Sequence, residues 1–182
     1  MVIPKRYWLT AGVGESNFSP LVAADKAFIQ AGIGYQNHVL VSSIPPVKEV
    51  KVKIDSKLGL TSIVEQDGSS HLIVPSTILH VVRAMKIAQK GEKISACIAL
   101  CKVNLTFQNK TYSCLLAYEN TGHDLKETKE EALAGVKNLV QSRNVKIDVT
   151  WGENGFKVIS SSLTVQKKFG CVASFVVFDP TV

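Results

Sequence analysis

Short runs of alternating apolar and polar residues dominate this sequence, and only two segments carry the longer periodicity of a helix. The helices are predicted from Pro20 to Ala31, with Ser19 as N-cap, and from about Asp124 to Arg143. Because antiparallel hairpins need no crossover helices, we expect an α+β fold of two facing, mostly antiparallel sheets with the helices outside. Eight or more β-type runs occupy most of the remaining chain, at residues 7–11, 38–43, 50–54, 71–74, 93–103, 111–119, 145–151, 156–165 and 170–178. The last three of these are expected to form a β-meander.

Composition favours one globular domain over residues 1–182. Of the residues, 46% are apolar, which is enough for a substantial core, and no repeat or linker-like stretch divides the chain. The net charge of +6 is moderate and no block of five like charges occurs, so we expect no nucleic-acid partner. We expect no membrane partner either, since no apolar run approaches the roughly 18 to 20 residues that span a bilayer. The start of the chain lacks the apolar stretch of a signal peptide.

The cysteines, histidines and glycine pairs show no pattern typical of a metal or nucleotide site. The four cysteines form no CxxC pair and have no metal-type spacing with histidine, so we expect no metal and interpret them as core thiols. Free thiols are typical of a reducing compartment, which predicts a cytoplasmic protein. Gly12-x-Gly14 and Gly32-x-Gly34 are too short for a nucleotide-binding loop, and each is interpreted as a turn.

The segment 31–46 carries the most specific motif in the chain. It begins AGIG, continues to Asn37, and ends a β-type run in Ser42-Ser43 shortly before two prolines. By composition alone, a serine pair at this place is a turn feature. The whole segment, however, resembles the signature of the pyruvoyl-dependent arginine decarboxylases. The resemblance extends in order over most of the chain, through residues 21–27, 91–96 and 163–171.

The resemblance implies a carbon–carbon lyase that converts arginine to agmatine and CO₂ in polyamine synthesis. Decarboxylation leaves electrons on Cα that no natural side chain accepts, whereas a covalent pyruvoyl group accepts them through a Schiff base with the substrate amine. The resemblance implies that Ser43 becomes this group when the precursor cleaves itself after Ser42, giving chains 1–42 and 43–182. It also implies a four-layer αββα sandwich and an assembly of trimers, single or paired, with active sites where subunits meet.

The residues of the family's active site can be carried over one by one. Ser43 matches the serine that becomes pyruvoyl, and Ser42 matches the new C-terminus, whose carbonyl the Ser43 hydroxyl attacks. Asn37 matches the asparagine near the scissile bond, a candidate donor to the oxyanion of that carbonyl. Asp25 matches the helix carboxylate near the cationic end of the substrate. Because a positively charged protein does not attract arginine, a local carboxylate has to supply the selectivity.

Two positions depart from the family's pattern. The family has a glutamate directly before a tyrosine as the expected proton donor to Cα, but this chain has Ala117-Tyr118-Glu119. Glu119 lies on the same face of a strand, so either it takes over the role or it is a second glutamate and the catalytic one is missing. One residue fewer also separates Ile44 from the prolines. Two alternative functions stay open: a pyruvoyl decarboxylase of another amino acid, and a structural or regulatory relative that has lost catalysis.

Overall fold

Two β-sheets stacked face to face, each with one helix on its outer side, form the main body of the protein. The computed structural model describes residues 5–180. Its elements are β1 (Arg6–Ser16), α1 (Pro20–Gln30), β2 (Asn37–Leu40), β3 (Lys48–Glu49), β4 (Lys51–Asp55), β5 (Leu60–Val64), β6 (Ser70–Leu72), β7 (Ile78–Gln89), β8 (Lys93–Phe107), β9 (Lys110–Gly122), α2 (Leu125–Arg143), β10 (Lys146–Ile147), β11 (Phe156–Thr164) and β12 (Phe169–Phe178). The layers follow the order α1, first sheet, second sheet, α2. The expected α+β fold is confirmed.

The first sheet has five strands in the order β2-β7-β12-β1-β3, with β12 at its centre. Strand β12 is antiparallel to both neighbours, and all of its residues except the first are buried. That burial is expected of a strand that is covered on both faces. Helix α1 covers the outer face of this sheet. As predicted, Ser19 caps the helix, Pro20 begins it, and Gly32 follows its end with φ of +76°.

The second sheet is built around β8, which pairs with β9 on one side and with β11 and β10 on the other. Its inner face packs against the first sheet through large apolar side chains such as Ile98, Leu100 and Val176. Helix α2 covers its outer face, where Cys97 and Cys101 are buried. The Asp124 carboxylate accepts from two main-chain N–H groups of the first turn and caps α2, as the sequence predicts.

A third, smaller sheet in the order β4-β5-β6 is tied to the ends of the chain by Arg6. The Arg6 guanidinium donates to Asp179, just beyond β12, at 2.6 Å, and to Glu65, just beyond β5, at 2.8 Å. The Asp179 side chain is fully buried, so this ion pair fixes the first strand against the last. Among the described residues, no helix is both long enough and apolar enough to cross a membrane.

Two predictions of local structure were wrong, and one strand was not predicted. Gly12 and Gly14 lie within β1 and not in a turn. Glycine is needed there because α1 packs closely against the strand, so that a β-carbon on Gly14 would stand 2.2 Å from the Ala23 carbonyl oxygen. The pattern does not predict β7, since Arg83 and Lys86 interrupt its apolar residues. The last three strands do not form a meander. Strands β10 and β11 pair with β8, whereas β12 inserts into the other sheet because both of its faces are apolar.

Candidate active site

The Ser42–Ser43 peptide bond lies where the chain passes from one sheet to the other. Just after edge strand β2, the Val41 N–H still donates to the Val81 carbonyl of β7 at 3.1 Å. Two residues later, the Ser43 carbonyl accepts from the Ala117 N–H of edge strand β9 at 2.9 Å. The serine pair therefore bridges the edges of both sheets, and a main-chain hydrogen bond holds the chain on each side of it.

The side chain of Ser43 points at the carboxylate of Glu119. The Ser43 hydroxyl donates to Oε1 at 2.8 Å and lies 3.1 Å from Oε2, and both side chains are partly buried. Glu119 follows Ala117 by two residues on β9, so both face the space between the sheets, where Ala117 is fully buried. A carboxylate in this position can take the proton of the hydroxyl and make its oxygen a nucleophile.

The carbonyl of the Ser42–Ser43 peptide bond is also held in place by a hydrogen bond. The Ser42 oxygen accepts from the Ile44 N–H at 2.8 Å, which closes a three-residue turn centred on Ser43. Ser43 is not among the residues with positive φ, so this is the unstrained, inverse form of the turn. Ile44 precedes a buried Pro45, and a proline restricts the residue before it to extended backbone. The prolines therefore help to fix the conformation of the turn.

Ala117, Tyr118 and Glu119, where the sequence departs from the family's pattern, make different contacts in the structure. The Tyr118 ring faces α2, where a β-carbon on Gly135 would lie 2.4 Å from it. Ala117 offers Ser43 its main-chain N–H, and Glu119 offers its carboxylate. Sequence reasoning missed the contributions of Ala117 and Ile44, because a main-chain N–H is present at almost every residue and leaves no signal in the pattern of residue types.

Comparison with known proteins decides the family. The family model described as pyruvoyl-dependent arginine decarboxylase (PvlArgDC) matches residues 6–181. This chain belongs to the pyruvoyl-dependent arginine decarboxylase family. It is also 26% identical over 179 residues to a protein of Methanothermobacter thermautotrophicus named pyruvoyl-dependent arginine decarboxylase, with 98% of this chain and 99% of that protein covered. The predicted resemblance, the decarboxylase class and the dependence on a covalent pyruvoyl group are thereby confirmed.

The residues around position 43 fit the pyruvoyl group that the family uses. The group has to arise from a residue whose hydroxyl can attack the preceding carbonyl, and Ser43 stands beside a carboxylate that can activate it. Ser42 is exposed, so a C-terminus released there has room to move away. The Ala117 N–H donates to the residue-43 carbonyl, which in a pyruvoyl group lies next to the reactive ketone and shares its electrons. This chain therefore retains the parts that the family's cofactor requires.

Asn37 and Asp25 do not reach Ser43 within a single chain. Asn37 begins β2, its amide donates to the Ser76 carbonyl at 3.1 Å, and four strand steps separate it from Val41 by about 13 Å. Asp25 is exposed on α1, on the far side of the first sheet from β9. Its carboxylate takes part in no hydrogen bond or ion pair within residues 5–180. The roles expected of both residues stay predictions.

Proposed function

We propose that this protein cleaves itself between Ser42 and Ser43 and that the mature enzyme decarboxylates arginine to agmatine and CO₂. The observation that carries the proposal is the Ser43 hydroxyl, which donates to the Glu119 carboxylate next to the peptide bond to be broken. Family membership supplies the reaction class. The site supplies a nucleophile, a base and a carbonyl that is held in place.

Self-cleavage follows from these groups in three steps. Glu119 takes the hydroxyl proton while the Ser43 oxygen attacks the Ser42 carbonyl carbon, and the C–N bond breaks to leave an ester and a protonated amine at residue 43. Loss of the Cα proton then expels the Ser42 carboxylate and leaves a dehydroalanine. Water hydrolyses this residue, releases ammonia and leaves the pyruvoyl group at the start of chain 43–182.

A pyruvoyl group at position 43 would supply the electron sink for decarboxylation, because it would hold the electrons that remain when CO₂ leaves. The chain itself holds residue 43 in position and supplies a group for proton transfer. The Ala117 N–H, which donates to the Ser43 carbonyl, would stabilise negative charge on that carbonyl in the pyruvoyl form. Glu119 lies beside position 43, so it is placed to return a proton to the Cα of the product.

We further propose that the enzyme assembles as trimers and that neighbouring copies complete each site. Support comes from the surface around the serine pair, where Leu40 and Ile44 are 58% and 44% exposed. A neighbouring copy could also bring the free carboxylate of Asp25 to the guanidinium of arginine and Asn37 to the scissile bond. Both residues are exposed and lie away from Ser43 of their own chain.

We propose the cytoplasm as the site of action. All four cysteines are free thiols, which a reducing compartment maintains. Burial raises the pKa of Cys97 and of Cys101 to about 11, so these thiols stay protonated and unreactive at neutral pH.

The test is the intact mass of the purified wild-type protein beside Ser43→Ala and Ser42→Ala. Wild type should yield chains 1–42 and 43–182, and the longer chain should resist Edman degradation because a pyruvoyl group has no free amine. Ser43→Ala lacks the nucleophile and should stay whole. Ser42→Ala is the matched control, since the attack uses only the carbonyl of residue 42, and it should still cleave.

Substrate is tested separately on the cleaved enzyme, by release of CO₂ from arginine, lysine and ornithine. Release from arginine in preference to the other two is the expected result. A wild-type chain that stays intact would refute self-cleavage. Complete cleavage without release from any amino acid would favour a relative that has lost catalysis.

A further inference from the structure

The main-chain N–H of Ile44 lies where the acyl shift would develop negative charge. When the Ser43 oxygen adds to the Ser42 carbonyl carbon, the carbonyl oxygen becomes an oxyanion until the C–N bond breaks. Donors that stabilise such an oxyanion lie 2.7–3.1 Å from it. The Ile44 nitrogen is 2.8 Å from the Ser42 oxygen.

The side chain of Asn37, the donor expected from the sequence, is engaged elsewhere in the same chain. Its amide donates to the Ser76 carbonyl, at the start of β2 and away from the serine pair. Within residues 5–180, the Ile44 N–H is the donor that contacts the Ser42 oxygen. The Ile44 side chain takes no part in this contact, since it is 44% exposed and the donor belongs to the main chain.

The turn also holds this donor before any reaction begins. Its hydrogen bond spans only Ser43, and Pro45 keeps Ile44 in extended backbone. The Ser43 carbonyl is fixed on the Ala117 N–H, so the peptide unit that carries the donor cannot rotate freely. A donor that is aligned in advance needs no reorganisation as charge develops, which is the condition for effective stabilisation.

We infer that the Ile44 main-chain N–H is the oxyanion donor of the self-cleavage reaction. The inference rests on the proposed self-cleavage. Glu119 removes the hydroxyl proton, and the Ile44 N–H stabilises the oxyanion. The same proton then passes from Glu119 to the nitrogen of residue 43 as the C–N bond breaks and the ester forms. This role of the Ile44 N–H explains why the chain has a turn and prolines at this place. The types of the surrounding side chains do not explain them.

The experiment removes this single N–H and leaves the side chain in place. Residue 44 is introduced by nonsense suppression in cell-free translation as the α-hydroxy analogue of valine, which replaces the N–H by an ester oxygen. Ile44→Val is the matched control. Ile44→Val keeps the N–H and sets the reference rate, and we expect the ester variant to cleave about 10²- to 10³-fold more slowly than Ile44→Val. The rate is read as conversion of the full chain into 1–42 and 43–182 on a denaturing gel.

A second measurement identifies the slow step. The ester variant also weakens the Ser43 carbonyl as an acceptor, so both proteins are repeated in hydroxylamine, which cuts the ester formed by the acyl shift. Hydroxylamine also cuts the ester introduced before residue 44, so the fragments are identified by mass: a chain that begins at residue 43 reports the acyl shift, and a chain that begins at residue 44 reports the introduced ester. If hydroxylamine restores cleavage between residues 42 and 43 of the ester variant, the slow step follows the acyl shift and the inference is overturned. We expect no restoration. Ile44→Pro, which removes the same N–H by another route, should be equally slow and equally insensitive to hydroxylamine.

The outcomes separate this inference from the proposed function. Cleavage of the ester variant at the rate of Ile44→Val would overturn the oxyanion role and leave self-cleavage standing. An intact wild-type chain would overturn self-cleavage and the inference together. Circular dichroism and the melting temperature, measured on each protein, should not differ, because Ile44 lies outside every strand and helix.

Discussion

At the scale of the residue, the position of Glu119 explains how an unusual sequence can still support the family's chemistry. The family's glutamate position is occupied by Ala117, whose methyl group is buried between the sheets. Two residues further along β9, Glu119 faces the same way and reaches the Ser43 hydroxyl. The proposed function gives this carboxylate two roles, first as the base for Ser43 and later as the proton donor to the product.

Glu119→Gln is expected to slow self-cleavage by about 10²- to 10⁴-fold, because glutamine keeps the hydrogen bond but cannot take the proton. The measurement is the rate of conversion of freshly translated chain into its two fragments. Glu130→Gln is the matched control, since Glu130 is exposed on α2 and bonds only weakly to Lys126 at 3.9 Å. Cleavage of Glu119→Gln at the rate of this control would show that another group is the base.

At the scale of the element, the close packing of α1 against β1 depends on glycine. A β-carbon on Gly12 would lie 2.0 Å from the Ala27 carbonyl oxygen, and one on Gly14 would lie 2.6 Å from the Ala27 nitrogen. The helix carries small residues on this side, where Ala23 and Ala27 are fully buried. Strand and helix backbones therefore approach more closely than side chains would permit. This packing fixes the position of the helix that carries Asp25.

Gly14→Ala is expected to lower the free energy of unfolding by about 3 kcal/mol, because the added methyl group meets helix backbone that cannot move aside. Chemical denaturation gives the value. Gly68→Ala is the control, since that glycine has open space around it and only its φ of +84° opposes a side chain, at a cost of about 1 kcal/mol. Equal losses in the two variants would contradict the close-packing explanation.

The segment after β10 is held to β8 by Asp148. Its carboxylate accepts from the Thr150 hydroxyl at 2.6 Å and pairs with Lys102 at 2.9 Å. These contacts lower the pKa of Asp148 to about 2, with the Thr150 hydrogen bond as the largest cause. A carboxylate whose pKa falls on folding stabilises the native state above its ordinary pKa. That contribution is lost as the pH falls through the folded value.

Asp148→Asn should therefore be less stable than wild type at pH 6, and the difference should shrink as the pH falls from about 4 to about 2. Melting temperatures of both proteins across this range give the comparison. Glu130→Gln serves as a reference for an exposed carboxylate and should track wild type throughout. A difference that stays constant down to pH 2 would mean that the ionised form of Asp148 contributes nothing.

At the scale of the whole molecule, apolar side chains are exposed along the sheet edge that leads to the serine pair. Tyr35, Val39, Leu40 and Ile44 are between 44% and 58% exposed, and they lie on or beside edge strand β2. An exposed sheet edge with apolar side chains is a surface that proteins usually cover. A neighbouring copy of the same chain is the partner that the proposed trimer provides.

Light scattering should give about 59 kDa for the purified protein, three times the 19.8 kDa chain, or twice that for paired trimers. Leu40→Asp should shift the mass toward that of the monomer, because a charge at a packed interface is costly. Leu58→Asp is the matched control. Leu58 is equally exposed at 58% but lies in the turn between β4 and β5, and its variant should keep the wild-type mass. A wild-type monomer would refute the assembly.

Local elements could be predicted from the sequence where their signals lie close together in the chain. Several features could be predicted because each depends on neighbouring residues. They are the helix caps Ser19 and Asp124, the apolar face of each helix, and the serine pair before the prolines. The family could be predicted for the same reason. Strand β7 could not, because it is buried through contacts with distant strands and its charged residues hide its apolar pattern.

The packing of the two sheets determines which distant groups meet at the Ser42–Ser43 peptide bond. Seventy-six residues separate Ser43 from Glu119, and no local pattern specifies that β9 places a carboxylate on that hydroxyl. The same packing brings the Ala117 N–H to Ser43, and the turn directs the Ile44 N–H to the Ser42 carbonyl. Sequence names the side chains that can do chemistry. The folded backbone, whose donors are chemically identical at almost every residue, decides which of them are used.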